Sequence, residues 1–356
     1  MNKLNSMMAV ALFALTFTAC KKDDKEPEIV VPVSDGSTLT LNGLVASEAG
    51  TAAGNSVYVD FSGDKQTSVA RTSWDLGFYS GAEFRVAINN AASAGAKVLS
   101  ATSLAAVGEA DTLGLTLAFN QMGPLATDFN YYDGINGSIT STVIPAVSAT
   151  VSENKVIILN RGTGGGIAAR PWIKLLVNRN TSGGYTVQYG TIKQTSGFKS
   201  IDIAKDATFN FKFVSLTSGA IVNVEPTKAD WDIVWGYSLY QTQFSGVTVP
   251  YNFSDLVFIN TLGGVKAAHI VATTTKTYAS YSEADIATTE FLSNRDAIGS
   301  KWRNTTGSPL GILDVFYVVK DGNGNYYKLK FISMGVNADG GTRGKPVIEY
   351  KLVKKG

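Results

Sequence analysis

The sequence predicts an all-β protein, built of antiparallel sheets in a sandwich-like arrangement with little helix. Short runs rich in Val, Ile, Thr, Tyr and Phe alternate with turns that contain Gly or Asn, as is typical of strands with β-branched and aromatic side chains on pleated surfaces. Several runs recur in the same order in both halves of the chain, which predicts two related β units. The best helical region spans residues 282–302, with Ser282 as a candidate N-cap before acidic residues.

The first 19 residues are predicted to be a lipoprotein signal peptide (1–19). Lys3 precedes the apolar run MMAVALFALTFTA at residues 7–19, which is too short to span a bilayer as a helix. The run ends in FTAC, so that Cys20, the only cysteine of the chain, follows small residues. This placement resembles the lipobox of bacterial lipoproteins and predicts lipidation of Cys20. The alternative is an ordinary signal peptide beside a chance cysteine.

Residues 20–36 are predicted to be a flexible tether, because the stretch is charged, then proline-containing, and has little to bury. Its start, CKKDD, resembles the acidic export signal of bacterial surface lipoproteins. We therefore expect an outer-membrane lipoprotein that is held by its lipid anchor and exposed at the cell surface. The alternative is a solvated spacer on the periplasmic side.

Composition argues against several classes of function. The formal net charge is +2 and the basic residues are scattered, which argues against a nucleic-acid partner. One histidine and one cysteine supply too few ligands for a zinc enzyme. No G-x-S-x-G elbow is present, and the glycine-rich RGTGGGIAAR at residues 161–170 lacks the G-K-[ST] ending of a phosphate loop. The sequence therefore predicts a protein that is not an enzyme.

The duplication rests on four pairs of blocks that recur in order around a Trp-Asp-aliphatic motif. The pairs are VYVDFS (57–62) with FNFKFVSL (209–216), EFRVAIN (83–89) with DLVFIN (255–260), WIKLLV (172–177) with YKLKFI (327–332), and YTVQYGTI (185–192) with PVIEYKLV (346–353). Their similar offsets indicate an internal duplication. We expect a first β unit at residues 37–200 and a second at residues 201–356.

The Trp-Asp motif occurs as SWDLGF at residues 73–78 and as DWDIVW at residues 230–235. Side chains alternate between the two faces of a strand, so the first copy is expected to place Trp74, Leu76 and Phe78 on one core face, and the second copy likewise. The motif aspartates are expected to accept hydrogen bonds from backbone amides.

DGNGN at residues 321–325 lies between two predicted strands and indicates a hairpin loop. Its D-x-N-x-N spacing also matches the opening of a calcium-binding loop. The closing position of such a loop holds Ile332 instead of Glu, which favours the hairpin.

These residues together resemble the HmuY family of surface lipoproteins. The motifs that carry the resemblance are WDLGF, WDIVW, INTLGGVKAA, DAIGSKWR, FYVVKDGNGNYYKLKF and IEYKL. The resemblance implies an all-β fold and a haemophore-like role, in which haem is bound at the cell surface and passed to an outer-membrane uptake receptor.

The resemblance also implies where haem ligands would lie. Histidine-ligated members place one ligand five residues after the motif tryptophan, and this sequence has Tyr79 and Gly236 at those positions. The only histidine is His269, and Met122 lies in a loop-like stretch. The candidate haem ligands are therefore His269, Met122 and Tyr79, with haem as the possible cofactor.

Two hypotheses follow for a non-catalytic surface protein. In the first, the chain binds haem or a related small ligand for uptake. In the second, it is a duplicated β scaffold that has lost haem ligation and binds a glycan, a protein or an outer-membrane receptor, because the expected ligand positions hold so few ligating side chains.

Overall fold

The computed structural model describes residues 32–306 and 308–356. Cys20, the predicted signal peptide and most of the predicted tether lie outside these residues. The strands are β1 (Gly36–Thr40), β2 (Asn55–Asp60), β3 (Lys65–Ala70), β4 (Leu76–Tyr79), β5 (Val86–Ile88), β6 (Gly95–Val98), β7 (Ile157–Asn160), β8 (Ile173–Arg179), β9 (Tyr185–Thr191), β10 (Lys199–Ile203), β11 (Phe211–Ser215), β12 (Ala220–Val222), β13 (Ile233–Phe244), β14 (Val247–Ile259), β15 (Lys266–Val271), β16 (Arg303–Asn304), β17 (Gly311–Ile312), β18 (Val315–Lys320), β19 (Tyr326–Ser333) and β20 (Val347–Lys354).

Helical structure in the described residues is short. One α-helix, α1 (Glu283–Ile286), is accompanied by 3₁₀ turns at Gly50–Ala52, Asn90–Ala92, Leu104–Ala106, Glu109–Thr112, Ala126–Tyr131, Ile139–Ser141, Val151–Glu153, Gly164–Gly166 and Thr261–Gly263. Ser282 is the N-cap of α1, as predicted, and its backbone N–H donates to the Asp285 carboxylate over 2.8 Å. The predicted helical region of residues 282–302 is otherwise turns and irregular backbone.

The strands pair in four larger sheets and one two-stranded sheet, and all the pairings among the described residues are antiparallel. The strand orders are β10-β9-β8-β7-β6, β12-β11-β4-β5, β1-β20-β19-β18-β15, β14-β13-β2-β3 and β16-β17. The prediction of an all-β fold of antiparallel sheets with little helix is confirmed.

The first two of these sheets have the same strand order as the next two. β4 and β13 both follow the Trp-Asp motif and are therefore counterparts. Their neighbours correspond as well: β12-β11-β4-β5 matches β3-β2-β13-β14, and β10-β9-β8-β7-β6 matches β1-β20-β19-β18-β15. Each pair of blocks that was recognised in the sequence falls on such counterparts, for example β8 with β19. The two related β units predicted from the sequence are therefore present.

The repeats exchange strands. β4 pairs with β11 of the second repeat, with Phe213 opposite Gly77, and β13 pairs with β2 of the first repeat, with Ile233 opposite Val59. One packed unit therefore consists of β4–β12, at residues 73–222, and we call it the central unit. The other consists of β1–β3 and β13–β20, at residues 33–71 and 231–356, and we call it the terminal unit. The packed units do not coincide with the sequence repeats at residues 37–200 and 201–356.

Each unit is a sandwich of a five-stranded and a four-stranded sheet around its own apolar core. The central core includes Leu76, Phe78, Val86, Leu159, Leu175, Tyr185 and Val187. The terminal core includes Val57, Val59, Ile233, Trp235, Tyr317, Leu329 and Ile348. β2 of the first repeat contributes Val57 and Val59 to the terminal core, and β11 of the second repeat contributes Val214 to the central core. Burial of each large apolar side chain contributes roughly 1.5–3 kcal/mol, so the stability of both cores depends on strands from both repeats.

The motif tryptophans do not belong to these cores, which corrects the expectation of one continuous core face. β4 begins at Leu76, two residues after Trp74. Leu76 enters the central core, whereas Trp74 and Trp231 pack in a separate aromatic cluster with Tyr58 and Phe213. Because Trp74 precedes the strand, its side chain does not follow the alternation of β4 and does not share the core face of Leu76 and Phe78.

The motif aspartates accept backbone hydrogen bonds, as predicted, and each donor is the residue directly after an exchanged strand. Leu216 N–H donates to Asp75 over 2.8 Å, and Phe61 N–H donates to Asp232 over 2.8 Å. Asp75 also receives two bonds of 2.8 Å from the Arg161 guanidinium. Each aspartate therefore fastens its own repeat to a strand of the other.

Asp232 differs from Asp75 because no cation pairs with it among the described residues. Burial raises the pKa of its carboxyl well above the ordinary value of 3.8, and the nearby Asp321 and Asp60 raise it further. Asp321 lies in the predicted hairpin, where its carboxylate accepts bonds of 2.9 and 2.8 Å from the backbone N–H groups of Asn323 and Asn325. The hairpin prediction for DGNGN is thus confirmed.

The exchange predicts which fragments fold. A fragment of residues 73–226 contains the complete central core, whereas a fragment of residues 37–200 lacks β11 and β13, the exchanged partners of β4 and β2. We expect the first to unfold cooperatively on heating and the second to lack a cooperative transition, as measured by circular dichroism. Cooperative unfolding of the 37–200 fragment alone would contradict the exchange.

Replacing each motif aspartate by asparagine is expected to lower the free energy of unfolding by very different amounts. Asp75→Asn removes the charge that compensates the buried Arg161, which costs about 3–5 kcal/mol of unfolding free energy. Asp232→Asn keeps an oxygen that accepts from Phe61 and removes no paired charge, so the expected change is below about 1 kcal/mol. Urea unfolding at pH 7 of both variants, each the control of the other, measures the difference. Equal losses would show that the Arg161 pair is not the cause.

Candidate functional site

A cavity of about 180 Å³ lies between the central and terminal units. Aromatic side chains from both repeats line it: Tyr58, Trp74, Phe211, Phe213, Trp231, Tyr237 and Phe258. Ligand sites of proteins are usually concave, mostly apolar and equipped with few polar groups. This cavity is therefore the candidate site.

The two motif tryptophans reach the cavity because they lie where the chain crosses between the units. The first crossing segment, residues 71–75, joins β3 to β4, and the second, residues 223–232, joins β12 to β13. An asparagine clamps each: Asn89 donates to the Trp74 carbonyl over 2.9 Å, and Asn260 donates to the Trp231 carbonyl over 3.0 Å. These are the asparagines of the Ile-Asn blocks.

Each tryptophan packs edge to face against an aromatic residue of the other repeat. The ring centroids of Trp231 and Tyr58 are 5.1 Å apart, and those of Trp74 and Phe213 are 4.8 Å apart. Pairs in this geometry contribute about 0.5–1.5 kcal/mol beyond area burial. The two aromatic pairs of the cavity wall are therefore equivalent by the duplication, and each forms because a strand of one repeat lies beside the motif of the other.

Two buried carboxyl groups line the cavity. Asp133 accepts hydrogen bonds from the backbone N–H groups of Ile88 and Val143, over 2.8 and 2.9 Å. Glu225 accepts one from the N–H of Phe211 over 2.8 Å. Both carboxyls thereby hold backbone in the cavity wall.

Burial makes both carboxyls weaker acids than exposed aspartate and glutamate. It raises the pKa of Asp133 to about 7 and that of Glu225 to about 8, although the backbone bonds and the positive charge of Arg295 oppose the change. Protonation of the cavity wall is therefore expected to change near neutral pH.

Arg295 is the cation of the cavity wall. Its guanidinium carbon lies 4.0 Å from the ring centroid of Phe258, a cation–π arrangement. Burial lowers the pKa of Arg295, but an arginine remains charged at physiological pH.

A buried arginine ties the two units together beside the cavity. Arg71 donates to the carbonyl of Ala53 over 2.7 Å and to that of Gly164 over 3.1 Å, and its guanidinium carbon lies 4.5 Å from the centre of the Tyr237 ring. Gly164 belongs to the glycine-rich segment at residues 161–170, and its carbonyl packs against Arg71.

The candidate haem ligands lie elsewhere. None of His269, Met122 and Tyr79 is among the described residues that line the cavity. Met122 is 87% exposed, and Tyr79 ends β4 with its ring against Phe211, at 5.6 Å between centroids. The three residues occupy β15, a loop and β4.

His269 lies in β15 opposite Tyr317, with 5.3 Å between their ring centroids. Its Nε2 atom is buried and has no hydrogen-bond partner in the described part of the chain. Burial, together with the charge of Lys301, lowers the pKa of the imidazole. A neutral imidazole nitrogen is an iron ligand in many haem proteins, but the Nε2 atom of His269 is closed off from solvent.

The described residues therefore fit haem poorly. The cavity lining contains no histidine, methionine or cysteine, and burial raises the pKa of its tyrosines, Tyr58 and Tyr237, which disfavours the phenolate that would bind ferric iron. In the described ranges, no group of three or more His, Cys, Asp or Glu side chains could hold a metal ion.

Sequence reasoning identified Trp74 and Trp231 as repeated residues but assigned them to the core, and it did not identify Asp133, Glu225 or Arg295. These three lie in turns and irregular segments far apart in sequence, so no spacing pattern joins them. The repeated tryptophan, Trp74 and Trp231, was the one feature of the sequence that could have pointed to the cavity.

The model of the HmuY protein family matches residues 52–201 and 207–350. The family pattern thus occurs twice along the chain, as the duplication predicted. No curated protein and no solved structure matches the chain significantly. Within the described residues, the helices are all too short or too polar to cross a membrane.

The cavity carboxyls predict how stability depends on pH. A carboxyl whose pKa rises on folding takes up a proton, so the free energy of unfolding increases as the pH falls from about 8 towards the ordinary values of 3.8 and 4.5. We expect Asp133→Asn with Glu225→Gln to flatten this slope between pH 8 and pH 5, measured by urea unfolding.

The wild-type slope contains other groups, so the difference between the proteins is the test. Asp232 contributes in the same direction, whereas His269, with its lowered pKa, opposes it below its ordinary value of 6.5. Both groups are common to the two proteins. Parallel pH profiles of wild type and double variant would contradict the assignment.

Proposed function

This chain belongs to the HmuY protein family, and we propose that it is a non-enzymatic surface lipoprotein that binds a small ring-bearing ligand between Trp74 and Trp231. The observation that carries the proposal is the cavity itself, whose aromatic wall is assembled from both repeats. Aromatic faces bind planar or ring-shaped ligands by stacking and by burial of apolar area.

The proposed role is capture at the cell surface for uptake. Lipidation of Cys20 would anchor the chain to the outer membrane, and residues 20–36 would connect the anchor to β1. Seventeen residues, if fully extended, would reach roughly 55 Å, which would let the cavity approach an outer-membrane uptake receptor.

The cavity supports the second of the two hypotheses from the sequence, a duplicated scaffold that does not ligate haem iron. The aromatic wall would suit a sugar ring of a glycan as well as a free planar ligand. A catalytic role has less support, because both cavity carboxyls already hold backbone amides.

Haem is the second candidate ligand, favoured by the family and by the unpartnered Nε2 of His269. Ligation there would require the side chains around β15 to move. If haem binds, His269→Ala, Met122→Ala and Tyr79→Phe distinguish the three candidate ligands.

We expect soluble protein that starts at Lys21 to show no saturable Soret shift on titration with ferric or ferrous haem. The reason is that the described residues place no axial ligand in an open apolar slot. A saturable shift that is lost in His269→Ala would replace the present proposal with haem binding.

A direct test of the cavity uses benzamide, an uncharged ring compound, as the probe. Ligand-observed saturation-transfer NMR is expected to detect binding to wild type and to show at least about tenfold weaker binding after Trp74→Ala or Trp231→Ala, since each ring supplies a stacking face. Trp172→Ala is the matched control, because Trp172 packs in a different cluster of the central unit. Equal loss in the control would argue against the cavity.

A further inference from the structure

We propose that the ligand of the cavity is a small aromatic carboxylate, whose ring lies between the motif tryptophans and whose carboxylate binds Arg295. This inference rests on the proposed function and specifies the chemical class of the ligand. It follows from the position of Arg295, from its lack of a partner and from the charges that face it.

Both units hold Arg295 in place. The backbone N–H of Ile259 donates to the Arg295 carbonyl over 3.0 Å, and the guanidinium lies against the Phe258 ring. On the opposite side, Gly137 of the central unit packs so closely that a Cβ there would lie 2.4 Å from Arg295 Cδ. The aliphatic part of the Arg295 side chain is therefore confined between the two units, and the residue lines the cavity.

Among the described residues, the Arg295 guanidinium has no hydrogen-bond or ion-pair partner. Within residues 32–306 and 308–356, no oxygen accepts a hydrogen bond from it and no carboxylate lies within salt-bridge distance. The fully buried arginines of the described chain all have acceptors: Arg161 and Arg303 donate to carboxylates over 2.8 and 3.0 Å, and Arg71 donates to backbone carbonyls. An arginine fork matches a carboxylate in geometry and charge, so Arg295 is a ready donor for an anion.

The other ionisable groups near Arg295 decide when an anion is accepted. Asp133 and Glu225 face it across the cavity, and Tyr58 and Tyr240 lie near it. Tyr240 is hydrogen-bonded to Asp296, the neighbour of Arg295. The tyrosines stay neutral between pH 6 and pH 9 because their pKa values are raised.

The carboxyls make the site pH-dependent. With pKa values of about 7 and about 8, both are mostly protonated at pH 6, and Arg295 then leaves the cavity positive. At pH 9 both are ionised, and the cavity is negative. An anionic ligand should therefore bind more tightly at pH 6 than at pH 9, whereas an uncharged ring should bind similarly at both.

The test compares benzoate with benzamide, which share a ring and differ in charge, by saturation-transfer NMR titration. We expect wild type to bind benzoate at least about tenfold more tightly than benzamide at pH 6, as a charge-assisted hydrogen bond provides. Arg295→Gln should bring the affinities for benzoate and benzamide to within about twofold of each other, because the charge that distinguishes the two ligands is removed. Lys301→Gln, which removes an exposed cation from the same loop, is the matched control.

If Arg295→Gln does not fold, Arg295→Lys keeps the charge without the fork and should retain part of the preference. Equal affinity of wild type for benzoate and benzamide would overturn the inference yet leave the proposed function intact, provided that benzamide binding still depends on Trp74 and Trp231. Failure of both rings to bind would overturn both. A benzoate preference that is unchanged in Arg295→Gln would also overturn the role of Arg295.

Discussion

The hydrogen bond that each motif aspartate accepts from the backbone at the end of a strand of the other repeat is the constraint on which the architecture depends. Asp75 holds β11 through Leu216, and Asp232 holds β2 through Phe61. Both bonds are buried, so each exchanged strand has one register in which the backbone N–H is satisfied. The sandwich cores, the crossing segments and the cavity between the units all follow from that registration.

Duplication has allowed the two copies to diverge at equivalent places. Asp75 is compensated by Arg161, whereas Asp232 is a buried acid with neighbouring carboxyls and a raised pKa. Tyr79 ends the short strand β4, and its counterpart Gly236 lies within the long strand β13 and lines the cavity. The position five residues after the motif tryptophan is thus a tyrosine packed against Phe211 in one copy. In the other copy it is a glycine whose Cβ would lie only 3.2 Å from the Asn55 carbonyl oxygen.

The strands were predictable because alternation and turn residues are local signals, and the duplicated blocks fell on equivalent strands. The exchange was not, because β2 and β11 carry the same pattern and either could satisfy either motif strand; local sequence does not distinguish the two pairings. The cavity was predictable only through its tryptophans. Asp133, Glu225 and Arg295 come from irregular segments that only the packing of the two units brings together.

The double crossing of the chain has a mechanical consequence. A single covalent connection lets two bodies swivel about many axes, but two separated connections leave free only rotation about the line that joins them. Here the connections are residues 71–75 and 223–232, and Trp74 and Trp231 lie on them. Both motif tryptophans therefore lie at the covalent connections between the units, which is where a rotation about that line would change the spacing of the two indole rings least.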